Sequence, residues 1–351
     1  MATRYIKSSG ARLPPLPTLR DLVKLYKLTA IKQLSQNFLM DERLTDKIVR
    51  AAGHIQDHHV LEVGPGPGGI TRSILRQCPK QLIVVEKDRR FMPTMELLAE
   101  ACKQTTDMKI VRGDILKYDM ENCFEGCERT DWHGPRAPVH LIGNLPFAIS
   151  TRLLINWLKD ISLKRGAWAY GRTSLTLTFQ KEVADRIVAP ILSKERCRLS
   201  IMSQLWTKPQ LRFTIPGTAF VPKPEVDVGV VTFVPHRDPM TDLDFDLVEK
   251  MARYLFSMRQ KYCRRGIQNL FSPDIREEYT AKIFQLADID PQLRSFQISN
   301  EEFLRLCIVY NDMLKENPDI AKYDYRGPRI SRDLCWQGQT EENIEEIVEK
   351  S

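Results

Sequence analysis

Four short segments of this chain carry residues able to do chemistry. The first is Glu62-Val63-Gly64-Pro65-Gly66-Pro67-Gly68-Gly69. Glycine lets backbone approach a ligand closely and reach positive φ, so glycines at alternate positions read as a ligand-cradling loop. The second is Glu86, 22 residues after Gly64. An acid at about that distance from such a loop accepts hydrogen bonds from both hydroxyls of a ribose. The third is Asp114, which can accept from an adenine amine. The fourth is Asn144-Leu145-Pro146-Phe147, which combines a polar acceptor, a proline that stiffens the turn and a flat ring. The first three imply an adenosine-containing cofactor and leave its identity open. Gly64-x-Gly66 with Gly69 is in register with the dinucleotide fingerprint Gly-x-Gly-x-x-Gly, and Pro65 and Pro67 argue against a loop that opens a helix amino terminus to a pyrophosphate. A nicotinamide enzyme would also need a His or Tyr acid-base at a strand end, and none fits.

These segments need a scaffold that brings them together. Val60–Val63, Leu82–Val85, Met108–Val111 and Val139–Ile142 are short apolar runs, with a fifth at Leu175–Phe179 and a late one at Val228–Val234. Helical stretches lie between them, such as that through Ile70, Ile74 and Leu75. Strands alternating with helices predict an α/β fold: a mostly parallel sheet with helices on both faces. Gly64, Glu86, Asp114 and Asn144 then sit at the carboxyl ends of four successive strands, where ligands bind in such folds. After Pro235 the alternation stops. Val248, Met251, Leu255, Met258 and Tyr262 recur at helical spacing. The predicted division is a basic segment over 1–30, a catalytic domain over 31–238, a smaller helical domain over 239–331 and an acidic, mobile tail over 332–351.

The tetrapeptide Asn144-Leu145-Pro146-Phe147 resembles the Asn/Asp-Pro-Pro-Tyr type signature of amino-methyltransferases that act on nucleobases. An exocyclic adenine nitrogen is a poor nucleophile because its lone pair is delocalised into the ring. Two acceptors for its hydrogens, the Asn144 side-chain oxygen and the Leu145 carbonyl, would draw it toward a tetrahedral shape. Phe147 would stack the base, and catalysis would be mostly positioning. The resemblance extends to the rRNA adenine N6-dimethyltransferase family over nearly all of 30–310. Gln36-Asn37-Phe38-Leu39, Glu62–Thr71, Val85–Asp88, Arg112–Ile115, Gln180–Arg186, Arg198–Ser200 and Phe220–Pro224 follow its motifs in order. Two segments depart from it: Glu225-Val226-Asp227-Val228 stands where Lys-Val-Asp-Ser is usual, and Arg259-Gln260-Lys261 where Arg-Arg-Lys is. The resemblance implies a Rossmann-like S-adenosylmethionine-dependent methyltransferase sheet with a smaller helical C-terminal domain. It implies cofactor contacts from Gln36, Asn37, Leu39, Gly64, Glu86, Lys87, Asp114, Ile115 and Asn144, and catalytic roles for Asn144, Leu145, Pro146 and Phe147. The expected substrate is small-subunit rRNA, at two adjacent adenines of a hairpin loop in the assembling subunit.

Charge and composition agree with an RNA partner. The net charge is +7 over 351 residues, which suits a polyanion. Arg253, Arg259, Lys261, Arg264 and Arg265 lie in a stretch without acids, and a helix there would turn its basic face to phosphates. The first forty residues hold seven Lys or Arg against Asp21 alone. That start suits a mitochondrial transit segment or an arm lying on RNA. Leu13–Thr18, Lys32–Asn37 and Tyr170–Thr173 resemble the mitochondrial members of the family, which implies the mitochondrial matrix and 12S rRNA. The eight cysteines are scattered. Cys123 and Cys127 have no second pair at zinc-site spacing, so no metal is expected. No apolar run approaches the roughly 18 residues of a membrane span, so no membrane partner is expected. The competing readings are a cytosolic or bacterial-type enzyme of the same family, and a mitochondrial transcription factor that keeps the fold without the chemistry.

Overall fold

The computed structural model describes residues 17–19, 21 and 37–325. Gln36, most of the basic amino-terminal segment and the acidic tail lie outside them. The first unit carries β1 (Phe38–Leu39), α1 (Glu42–Ala51), β2 (His59–Val63), α2 (Gly69–Leu75), β3 (Gln81–Glu86), α3 (Met92–Cys102), β4 (Asp107–Arg112), β5 (Val139–Gly143), α4 (Phe147–Ser162), β6 (Ser174–Gln180) and α5 (Lys181–Val188). It resumes after α6 (Arg198–Trp206) with β7 (Thr207–Ile215), β8 (Phe220–Val221) and β9 (Val228–Pro235). Seven strands form one sheet in the order β4-β3-β2-β5-β6-β9-β7. The pairs from β4 through β6 are parallel, and β9 runs antiparallel to both β6 and β7. Every residue of β2, β3 and β5 is buried, as expected of parallel strands covered on both faces. Val60, Leu82, Val84 and Ile142 face Ile48, Val49, Ile70, Ile74, Met95 and Leu98 of α1, α2 and α3. The strand order reverses between β2 and β5, the switch point where such sheets open a crevice.

The second unit contains 189–205 and the described residues after Met240. Its later helices are α7 (Phe245–Leu255), α8 (Cys263–Ile267), α9 (Arg276–Ala287), α10 (Asn300–Glu316) and α11 (Asp319–Lys322). Helix α10 starts at a capping box: Ser299 accepts from the Glu302 amide and Glu302 accepts from the Ser299 amide. It buries Phe303, Leu306, Cys307, Tyr310 and Met313 on one face. Residues 189–205, read from sequence as part of the first domain, join this unit through Arg196. Its buried guanidinium donates to the Ile298 carbonyl at 3.2 Å and to Asn300 Oδ1 at 2.8 Å.

The helical stripe expected from Val248 to Tyr262 ends early. α7 stops at Leu255, and Met258 and Tyr262 are exposed. The Ser257 hydroxyl donates back to the Tyr254 carbonyl at 2.7 Å, a local bond that competes with helix propagation. Tyr262 then extends to bridge Arg294, and α8 begins anew after it.

Candidate active site

Parallel register explains why the chemistry converges. Val63 is paired with Val85 and with Gly143, and Gly143 with Leu177. The next residue on each strand therefore falls in one row across the carboxyl end of the sheet: Glu86, Gly64, Asn144 and Thr178. Asp114 lies two residues past Arg112, the partner of Glu86. A cavity of about 1300 Å³, counting its open mouth, lies over this row. Asn37, Leu39, Glu62, Gly64, Glu86, Lys87, Asp114, Ile115, Asn144, Leu145, Pro146 and Phe147 are among its lining residues. Every described cofactor or catalytic residue named from the sequence thus borders one space, joined by Glu62.

The walls are set by backbone. Gly64 has φ +63, and a Cβ there would enter open space, so the turn needs glycine for its conformation. Gly68 has φ +88, and a Cβ would stand 2.7 Å from Leu98. Glu86 is buried, and its two oxygens accept from the Gly66 amide at 3.0 Å and the Asp88 amide at 2.8 Å. Burial raises its pKa, while those amides pull it down. The loop and the acid therefore hold one another in place, leaving lone pairs on both oxygens for a ligand diol. Asp114 accepts from Lys87 Nζ at 2.9 Å and from the Leu116 amide at 3.0 Å. The Lys87 contact, with the Leu116 amide second, holds its carboxyl below the ordinary value. Glu62 is 1% exposed, with Oε2 buried and unpartnered. Burial pushes its pKa up to about 8, against the pull of Thr71 and with help from Glu86.

The turn Asn144–Phe147 is held from two sides. Asn144 Nδ2 donates to the Asn37 carbonyl at 2.9 Å, and Asn144 Oδ1 accepts from Thr178 Oγ1 at 2.7 Å. β1 is in turn paired antiparallel with β8, Phe38 opposite Val221 and Leu39 opposite Phe220. Phe38 packs edge-on to Phe91, centroids 5.4 Å apart. Leu145 is buried, Pro146 caps α4, and Phe147 is its half-buried first residue. The sequence reading placed Glu62 at the head of the glycine segment without giving it a role, and it missed Thr178. The register at the end of the fifth strand could have pointed to Thr178.

The basic residues expected to touch RNA do not share one helix. Arg253 is on α7, Arg259 and Lys261 are in the turn, and Arg264 and Arg265 are on α8. Arg264 is paired with Glu277 of α9. Lys261 and Arg265 are exposed.

A switch-point crevice with a buried acid one strand from a glycine turn, and an Asn-x-Pro-Phe turn beside it, define a Rossmann-like methyltransferase of the kind that modifies amines. The cavity suits S-adenosylmethionine: a buried acid for a ribose, an apolar wall at Phe38 and Ile115, and the unpartnered Glu62 Oε2. The family model described as ribosomal RNA adenine dimethylase matches residues 28–312. The chain belongs to that family: it is an S-adenosylmethionine-dependent rRNA adenine N6,N6-dimethyltransferase. It is 58% identical to "Dimethyladenosine transferase 1, mitochondrial" of Drosophila pseudoobscura pseudoobscura, over 93% of this chain and 95% of that protein. It is 52% identical to the protein of the same name from Homo sapiens, over 91% and 92%. Among solved structures, a dimethyladenosine transferase from Plasmodium falciparum shares the fold at TM-score 0.62 and 21% identity, covering 78% of this chain and 98% of that one.

Proposed function

We propose that the chain dimethylates two adjacent adenines in a hairpin loop of mitochondrial 12S rRNA, in the mitochondrial matrix, as the small ribosomal subunit assembles. The observation that carries the choice of substrate is the identity above one half, across nearly the whole chain, to relatives named as mitochondrial dimethyladenosine transferases. The basic amino-terminal segment agrees with that compartment.

S-adenosylmethionine supplies an activated methyl group when bound. In this reading Glu86 would accept from its ribose hydroxyls, Lys87, Asp114 and Ile115 would hold its adenine, Gly64 would let the backbone approach, and Asn37, Leu39 and Asn144 would contact it, with Gln36 assigned to the cofactor by the family motif alone. The target adenine leaves its stack to enter, since pairing hides its amine. Asn144 Oδ1, which keeps one lone pair beside its bond from Thr178, and the Leu145 carbonyl accept the two amine hydrogens. The nitrogen lone pair is then freed from the ring. Pro146 stiffens the turn, and Phe147 stacks the base. Lys261 and Arg265, with Arg253, Arg259 and Arg264, position the RNA through its phosphates.

The test is incubation with labelled S-adenosylmethionine and 12S rRNA lacking its methylated adenines, with the modified positions mapped by primer extension. Label should enter two adjacent loop adenines. Asn144→Ala should slow transfer about 10²–10³-fold, by analogy with loss of one positioned polar group in other sites. Labelling elsewhere in the RNA sinks the substrate assignment, and near-normal dimethylation by Asn144→Ala sinks the catalytic one.

A further inference from the structure

We infer that Thr178 is a positioning residue for the methyl-transfer reaction, acting by holding the Asn144 amide oxygen in place. The inference rests on the catalytic reading of Asn144 above and adds a residue that the sequence motifs do not contain. A primary amide has a donor end and an acceptor end of nearly equal size, so shape alone does not choose between its two flips. Here one end meets a partner of fixed polarity and the other a hydroxyl, which can donate or accept. The Asn37 carbonyl can only accept, and it takes Nδ2 at 2.9 Å. Thr178 Oγ1 contacts Oδ1 at 2.7 Å, where the threonine must donate because a carbonyl oxygen has no proton. The reversed flip would set an oxygen against the Asn37 carbonyl. It would also turn the amine-accepting group away from its place in the turn.

Thr178 is fully buried, so water cannot replace its hydroxyl. It stands in the row of Glu86, Gly64 and Asn144 because Leu177 is paired with Gly143. Its bond uses one lone pair of Oδ1 and leaves one for the adenine amine. Thr178 therefore touches no reactant. The Asn37 carbonyl fixes which end of the Asn144 amide is presented, and Thr178 holds the presented oxygen still.

Thr178→Val keeps the shape and deletes the donor; Thr178→Ser keeps the donor. Single-turnover rates of the first methyl transfer are measured on the full chain with saturating RNA, beside the calorimetric dissociation constant for S-adenosylmethionine. Thr178→Val should slow transfer about three- to tenfold, the worth of one neutral hydrogen bond. Its cofactor affinity should stay within about twofold, and Thr178→Ser should remain near the wild-type rate. In cofactor-free protein labelled with ¹⁵N-asparagine, the Asn144 side-chain amide protons should exchange with water faster in Thr178→Val. In an Asn144→Ala background Thr178→Val should cost less than twofold, because no amide oxygen is left to hold. An undiminished rate in Thr178→Val, or a full additional loss in the Asn144→Ala background, overturns the inference. An active Asn144→Ala alone would instead overturn the reading it rests on.

Discussion

Glu62 offers the sharpest test of the site's electrostatics. Its carboxyl is buried beneath the cavity with an unpartnered oxygen, and burial lifts its pKa from 4.5 to about 8. Between those values the folded protein holds a proton that the unfolded chain releases. Stability therefore falls as pH rises across that window. Glutamine keeps the shape and is neutral throughout, so Glu62→Gln should be neutral near pH 4 and increasingly stabilising toward pH 8. At about 1.4 kcal/mol per tenfold change in proton affinity the ceiling is about 5 kcal/mol. Water penetration and relaxation bring the expected gain to about 2–3 kcal/mol, since effective dielectrics of buried sites exceed dry-protein values. The assay is urea unfolding of cofactor-free protein at pH 5, 6, 7 and 8. A difference between the two proteins that does not grow with pH would refute the argument, and so would a destabilised Glu62→Gln at pH 8.

Three further outcomes follow from the geometry. Glu86→Ala should weaken S-adenosylmethionine binding at least about tenfold, because each charge-assisted bond contributes about 1.5–3 kcal/mol; unchanged calorimetric affinity would remove Glu86 from the cofactor site. Phe147→Ala should cost the first transfer about 1–3 kcal/mol of stacking and the second more, since a monomethylated amine re-enters with one hydrogen fewer to hold it. Mass-spectrometric counts of unmodified, mono- and dimethylated adenine should then show the monomethyl form accumulating, and its absence counts against stacking. Lys261→Ala with Arg265→Ala should weaken RNA binding across sequences and flatten its log–log salt dependence by about one per lost phosphate contact, and an unaltered slope means the two cations are merely solvated.

Much of the site was legible because strand ends are legible. An apolar run closed by Glu86, Asp114 or Asn144 places each residue on the sheet edge without knowledge of tertiary structure. Thr178 was not, because threonine is ordinary in a strand and only register with Gly143 sets it beside Asn144. Asn37 contributes a backbone carbonyl that any residue could supply, so its side chain gives no sign of that task. The two-residue strand β8 is too short for periodicity to reveal. Between Val248 and Tyr262 no glycine or proline marks a stop. The helix ends there through the Ser257 hydroxyl and a bridge to Arg294, a tertiary contact that outranks a local pattern. Residues 189–205 leave the first unit because a buried guanidinium finds its acceptors at Ile298 and Asn300, far along the chain.

The pairing of β1 with β8 has a bearing on biosynthesis. Phe38 and Leu39 emerge from the ribosome early, and their partners Val221 and Phe220 only after most of the chain has been made. The Asn37 carbonyl adjoins that first strand, so the main-chain contact to Asn144 lacks its anchor throughout that interval. Thr178 emerges sooner and could hold its end of the amide alone. The parallel strands can thus pair before the segment that ties the first described strand down has been made.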